Sequence, residues 1–137
     1  MEEIERKYSE YYNSIENELP RSIIQLFESS LHDAEITSLD VQSEDVISIT
    51  LDCRSSFYDA NEIKLTFLGV KEVLIPEGIV GSYWLYNEVY PKYFNEYNED
   101  FEYVKKRGFE LHVLLDCFPL AEFTVMAEGF LIEVLKE

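Results

Sequence analysis

The chain contains two histidines, and each lies close in sequence to an aspartate. His32 directly precedes Asp33 in "SLHDAEITSLD", and His112 lies four residues before Asp116 in "FELHVLLDC". A histidine beside a carboxylate can serve in acid–base catalysis, and the same residue types can hold a metal ion. One hypothesis is therefore a small enzyme or a metal-binding protein that uses these four residues.

The same residues have a structural interpretation, which the sequence favours. His32 follows an apolar pattern typical of a helix, and a positive side chain is favourable beside the unpaired carbonyls of a last helical turn. Asp33 can accept hydrogen bonds from nearby amides in a turn. A catalytic pair also needs a nucleophile, and the sequence holds no GxSxG or HExxH motif. We therefore expect no catalytic residue, no metal site and no cofactor.

The charge of the chain restricts its partners. Among 137 residues, 28 are acidic and 11 are basic, which gives a net charge of −17. Such a surface repels phosphate backbones and anionic membranes, so we expect neither nucleic acid nor a membrane as partner. A basic protein would be attracted to it. The sequence therefore favours a non-enzymatic acidic protein-interaction module, and a homo-oligomer stays open.

The most unusual stretch is "SYWLYNEVYPKYFNEYNEDFEYV", which runs from residue 82 to 104 and holds nine of the twenty aromatic residues with five acids. Tyrosine and tryptophan are enriched at binding hot spots. The candidate binding residues are Trp84, Tyr86, Tyr90, Tyr93 and Tyr97. The alternative is that these rings pack across strands or cover a sheet edge. Whether residues 91–100 form a helix or a loop is left open.

The hydrophobic pattern predicts a single α+β domain over residues 1–137. Its helical part covers about 2–31, with a second helix beginning at Pro20, and its β-rich part covers about 34–135. The helices are the predicted cover for the apolar face of a largely antiparallel sheet. "QSED" and "KKRG" are predicted turns, and the last strand region is predicted to bend near Gly129.

The two cysteines and the N-terminus indicate a compartment. "MEEIERKYSEYY" has no apolar segment typical of a secretory signal, so a cytoplasmic location is expected. Cys53 and Cys117 lie in apolar, strand-like segments, and we expect both to be reduced and largely buried.

Several segments carry a family resemblance. They are "LPRSIIQLFESSLHDAEITSLDVQSEDVISITLDC", "IKLTFLGVKEV", "GSYWLYNEVY" and "GFELHVLLDC". Together they resemble a family of uncharacterised bacterial proteins, a domain of unknown function from Gram-positive species, although Phe118 departs from its pattern. The "SLHDA" opening is also similar to polymorphic-toxin immunity proteins. The first resemblance implies no catalytic residue, and the second implies an acidic binder of a basic toxin.

Overall fold

The computed structural model of the protein describes residues 31–56, 58, 60–97, 99–116 and 120–137. These residues form eight β-strands that belong to one antiparallel sheet. In chain order the strands are β1 (Glu35–Ser43), β2 (Val46–Asp52), β3 (Glu62–Leu68), β4 (Glu72–Leu74), β5 (Tyr83–Tyr97), β6 (Tyr103–Asp116), β7 (Leu120–Ala127) and β8 (Gly129–Lys136).

The order of the strands across the sheet is β4-β7-β6-β5-β1-β2-β3-β8. The sheet therefore has two halves, β4-β7-β6-β5 and β1-β2-β3-β8. They join where β1 meets β5, at the single registered pair of Glu35 with Tyr83. Backbone hydrogen bonds extend this junction, because the amide of Ile36 donates to the carbonyl of Ser82 at 2.9 Å.

Two chain paths pass from one half of the sheet to the other. β3 pairs with β8, whereas β4, which follows β3, pairs with β7. The path from β7 to β8 makes the opposite passage through Glu128, whose amide donates to the carbonyl of Leu68 at 3.0 Å. The sheet therefore folds so that its two halves share one core.

Phe67 on β3 lies at the centre of that shared core. Its ring centroid is 5.2 Å from that of Phe130 on β8 and 6.0 Å from that of Phe123 on β7. Phe109 on β6 lies 6.4 Å away. All four rings are buried, so each half of the sheet covers the apolar face of the other.

The α+β prediction is wrong for the part of the chain that the structure describes, which is all-β and contains no helix. That prediction relied on helices as the only good cover for the sheet, whereas the folded sheet covers itself. The two helices were predicted within 2–31, and residues 1–30 lie outside the described residues.

The predicted turns had different outcomes. The turn in "QSED" is confirmed at Glu44 and Asp45, and the bend near Gly129 is confirmed as the boundary between β7 and β8. The turn predicted at "KKRG" is wrong, because residues 105–108 continue β6. Residues 91–97, which were left open between helix and loop, continue β5.

Cys53 is a free thiol buried at the end of β2, as predicted. Burial raises its pKa to about 11, so the thiolate that reagents attack is scarce at neutral pH. Cys117 lies outside the described residues. Within the described ranges, no helix is long and apolar enough to cross a membrane.

Candidate functional site

The β5–β6 hairpin extends beyond the rest of the sheet. β5 and β6 pair from Tyr83 opposite Asp116 to Tyr97 opposite Tyr103. β7 accompanies β6 only as far as Phe109, which is opposite Ala127. In the described structure, the strand residues beyond this point pair only with each other. We call residues 92–108 the arm.

The end of the arm exposes aromatic side chains beside acids. Tyr97, Phe101 and Tyr103 have 71%, 86% and 64% of their surface exposed. The rings of Tyr97 and Tyr103 meet edge to face across the hairpin, with centroids 5.4 Å apart. The acids Glu99, Asp100 and Glu102 lie in the connecting turn and are exposed. We call Tyr97 and residues 99–103 the arm tip.

Phe101 combines exposure with an unusual backbone. Its φ is +61°, in the left-handed region that residues other than glycine seldom adopt. A large apolar side chain at such a position gains little from burial to offset the conformational cost. Packing among the described residues therefore does not account for this side chain.

The base of the arm is fixed to the sheet. Lys71 and Lys106 both form ion pairs with Glu96 of the arm and with Glu128 at the β7–β8 bend. The Lys71 ammonium also lies 5.8 Å from the centroid of the Phe94 ring. Hydrogen bonds from Lys71 and Lys106 lower the pKa of Glu96. Through Lys71 and Glu128, these ion pairs link the base of the arm to the rest of the sheet.

A cleft of about 380 Å³ lies next to the arm. β5 supplies Tyr86, Glu88 and Tyr90, β6 supplies His112 and Leu114, and β7 supplies Glu122. These residues lie on the face of the strands opposite the core, because the alternate residues Val89, Leu111, Val113 and Phe123 are buried. The Tyr90 hydroxyl donates to Glu88 Oε2 at 2.6 Å, which fixes one wall of the cleft.

His112 lies between two carboxylates. Its Nδ1 is 2.5 Å from Glu122 Oε1, and its Nε2 is 3.0 Å from Glu110 Oε2. A neutral imidazole has one N–H and can donate to only one of them, whereas the imidazolium can donate to both. Partial burial lowers the pKa of His112, but the hydrogen bonds to Glu122 and Glu110 outweigh it and place the pKa above 6.5.

The predicted binding residues occupy four different environments. Trp84 is 1% exposed and its indole N–H donates to Asn87 Oδ1 at 3.0 Å, so it belongs to the core. Tyr86 and Tyr90 are half-buried and line the cleft. Tyr93 is on the arm, where the Lys105 ammonium lies 4.4 Å from its ring centroid. Tyr97 is at the arm tip.

The four residues of the enzyme or metal hypothesis do not share a site. His32 Nδ1 is 3.1 Å from Asp33 Oδ2 in an exposed turn, and Asp33 has φ +71°. This turn is closed by a 2.8 Å hydrogen bond from the amide of Ala34 to the carbonyl of Leu31. His112 contacts Glu110 and Glu122 instead of Asp116. Within the described ranges, no group of three or more His, Cys, Asp or Glu side chains could hold a metal ion.

Sequence reasoning did not select four residues that the structure brings into the site. Phe101 and Tyr103 complete the arm tip, and Glu110 and Glu122 flank His112. Glu110 could have been found from the sequence, because it lies two residues before His112 and this spacing places both side chains on one face of a strand. Glu122 lies on another strand, so only the pairing of β6 with β7 brings it close.

Comparison with known proteins places the chain in a family. Residues 1–127 match the model of a family described as "Protein of unknown function (DUF4085)". The chain belongs to this family. The resemblance to an uncharacterised family is thereby confirmed, and family membership assigns no activity to the arm or to the cleft. No curated protein and no solved structure matches the chain.

Proposed function

We propose that this protein is a non-enzymatic interaction module that binds a basic protein partner through the arm tip. The observation that carries the proposal is the arm itself, a hairpin that extends past β7 and ends in exposed Tyr97, Phe101 and Tyr103. A basic toxin would be one such partner, as the similarity of "SLHDA" to polymorphic-toxin immunity proteins implies.

The arm tip has the physical properties of a binding surface. Aromatic rings supply a large contact area at a low cost in side-chain entropy. Because the arm is paired as far as Tyr97 opposite Tyr103 and tied to the sheet through Glu96, these two rings are placed before a partner arrives, which reduces the entropic cost of association. Glu99, Asp100 and Glu102 would attract a basic surface and speed the encounter.

The enzyme or metal alternative gains no support from the arrangement of its residues. The His32–Asp33 pair is exposed at a turn, and both ring nitrogens of His112 are engaged by glutamates. We also place the interaction in the cytoplasm. The free, buried thiol of Cys53 supports this location, because unpaired cysteines are typical of reducing compartments.

The experiment compares two triple variants of the full chain. The arm-tip variant combines Tyr97→Ser, Phe101→Ser and Tyr103→Ser. The matched control combines Leu74→Ser, Val80→Ser and Leu131→Ser, which are also exposed apolar residues but lie elsewhere. Wild-type protein and both variants are immobilised and exposed to a lysate of the source organism. A retained basic protein is then purified, and its affinity is measured by calorimetry.

We expect the arm-tip variant to bind the purified partner at least tenfold more weakly, since hot-spot truncations cost about 2 kcal/mol or more each. The control should bind like the wild type, and all three proteins should melt at similar temperatures. Affinity should fall as salt is raised, mainly through a slower association rate. Equal binding by both variants, or a partner without a basic surface, would refute the proposal.

A further inference from the structure

We propose that the cleft lined by Tyr86, Glu88, Tyr90, His112 and Glu122 binds a guanidinium group. Its source in the cell would be an arginine side chain of the basic partner, and to that extent the inference rests on the proposed function. The cleft, formed by β5, β6 and β7, is then a second contact site for that partner, separate from the arm tip. Nothing in the family assignment points to this site.

The shape and lining of the cleft suit an arginine side chain. Its volume of about 380 Å³ exceeds what one such side chain occupies, and its walls are the rings of Tyr86 and Tyr90 with Leu114 between the polar groups. The Tyr90 ring meets the His112 ring edge to face, with centroids 6.0 Å apart, so the wall is firmly placed. The apolar stem of an arginine packs on such surfaces, and its planar head stacks on aromatic rings.

The charges around the cleft leave at least one negative charge without a counterpart. Glu88, Glu110 and Glu122 carry three negative charges. They are opposed by the Lys92 ammonium, whose Nζ is 3.9 Å from Glu110 Oε2, and by His112 in its protonated form. A monovalent cation would complete the balance, whereas an anion would be repelled.

Two carboxylate oxygens are available to receive the ligand. Glu88 uses Oε2 to accept from Tyr90, and Glu122 uses Oε1 to accept from His112 and Thr124. Among the described residues, neither Glu88 Oε1 nor Glu122 Oε2 takes part in a hydrogen bond. They belong to different strands on two sides of the cleft. A guanidinium has five N–H donors spread around a plane and can donate to carboxylates in more than one direction, whereas an ammonium is a compact point charge.

The test is a nuclear magnetic resonance titration of the full chain at pH 7.5. The probe is N-acetyl-arginine amide, and the comparison is N-acetyl-citrulline amide, which has nearly the same shape but no charge. The ring signals of His112 and His32 are followed together, because His32 lies in the exposed turn and reports non-specific effects. We expect saturable shifts of His112 with the arginine compound, little change in His32, and no saturable shift with the citrulline compound.

Two charge-matched variants locate the binding. Glu122→Gln should weaken the binding of the arginine compound about tenfold, because it removes a charge-assisted hydrogen bond. Glu133→Gln removes the same charge from an exposed position on β8 and should leave the affinity unchanged. Equal effects of the two variants would overturn the inference, as would equal shifts with citrulline. Tighter binding of N-acetyl-lysine amide would overturn the choice of guanidinium.

The outcome separates the cleft from the arm tip. The arm-tip triple variant leaves every cleft residue in place, so it should bind the arginine compound like the wild type. If the compound does not bind while the arm-tip variant still loses the protein partner, the inference about the cleft fails and the proposed function stands. If the arginine compound binds but no protein partner depends on the arm tip, the inference about the cleft stands and the proposed function fails.

Discussion

At the scale of single residues, His112 links the stability of the fold to pH. Its imidazolium joins β6 to β7 through Glu122 and faces Glu110 on its own strand. Because the folded pKa of His112 is raised above 6.5, its contribution to stability is fully present below about 6.5 and is lost as pH rises through the folded pKa. The hydrogen bond from His112 lowers the pKa of Glu122, so the contribution of Glu122 is lost as pH falls through its own folded pKa.

Replacing His112 by Gln should therefore destabilise the protein more at pH 6 than at pH 9. We expect a loss of about 1 kcal/mol at pH 6, typical of a partly exposed, charge-assisted contact. The loss should be smaller at pH 9, because the contribution of the imidazolium declines as pH rises through the folded pKa. Urea unfolding of both proteins at the two pH values measures this. The same loss at both values would show that the imidazolium does not stabilise the fold.

At the scale of the elements, the arm depends on a close approach at its base. Gly108 lies on β6 where the arm leaves the sheet, and a Cβ at this position would lie 2.5 Å from Cε2 of the Phe94 ring. It would also collide with the backbone carbonyl of Ala127 on β7, which cannot move without breaking the pairing of the strands. Only a residue without a side chain fits here.

Gly108→Ala should cost about 1–3 kcal/mol, in the range for overpacking a close contact. The matched control is Gly129→Ala, where a Cβ would lie at an ordinary 3.5 Å from the Leu68 side chain. Thermal melts compare the two variants with the wild type. If Gly108→Ala melts at or above the temperature of Gly129→Ala, the packing at the base of the arm is looser than the structure indicates.

The strands with simple alternation could be predicted from the sequence. In β2 and β3 every second residue is apolar, and the structure buries Ile47, Ile49 and Leu51 opposite Phe67, Leu65 and Ile63. In the arm, apolar and charged residues occur on both faces because no third strand covers them. The charged "KKRG" was therefore interpreted as a turn, although it lies inside β6.

The candidate site was predicted only in part because of a bulge in β5. Trp84 pairs with Leu115 and Tyr86 pairs with Leu114, so Leu85 is an extra residue and the inward-facing parity changes there. A count of alternate residues cannot place such a bulge. It therefore groups Trp84, which is buried, with Tyr86 and Tyr90, which line the cleft. The contacts of His112 with residues of β7 could not be predicted either, because only the pairing of β6 with β7 brings them close.

At the scale of the whole molecule, the two halves of the sheet are held together through Phe67. It contacts rings from both halves, at 5.2 Å from Phe130 and 6.0 Å from Phe123. Phe67→Ala should therefore cost about 3–5 kcal/mol, the range for a truncated core phenylalanine. Phe101→Ala, at the exposed arm tip, should change stability by less than about 0.5 kcal/mol. Urea unfolding of both variants checks this, and similar losses would contradict the shared core.

The pairing of β3 with β8 has a consequence for the growing chain on the ribosome. Glu62 of β3 lies opposite Lys136 of β8. β3 is made early in synthesis, whereas this neighbour is the last strand in chain order. β1, β2 and β3 can pair locally as soon as they emerge, but one edge of β3 has no partner until β8 has been synthesised. An apolar strand with an open edge pairs readily with other chains. We therefore expect this edge of β3 to be open to pairing with other chains until β8 has been made.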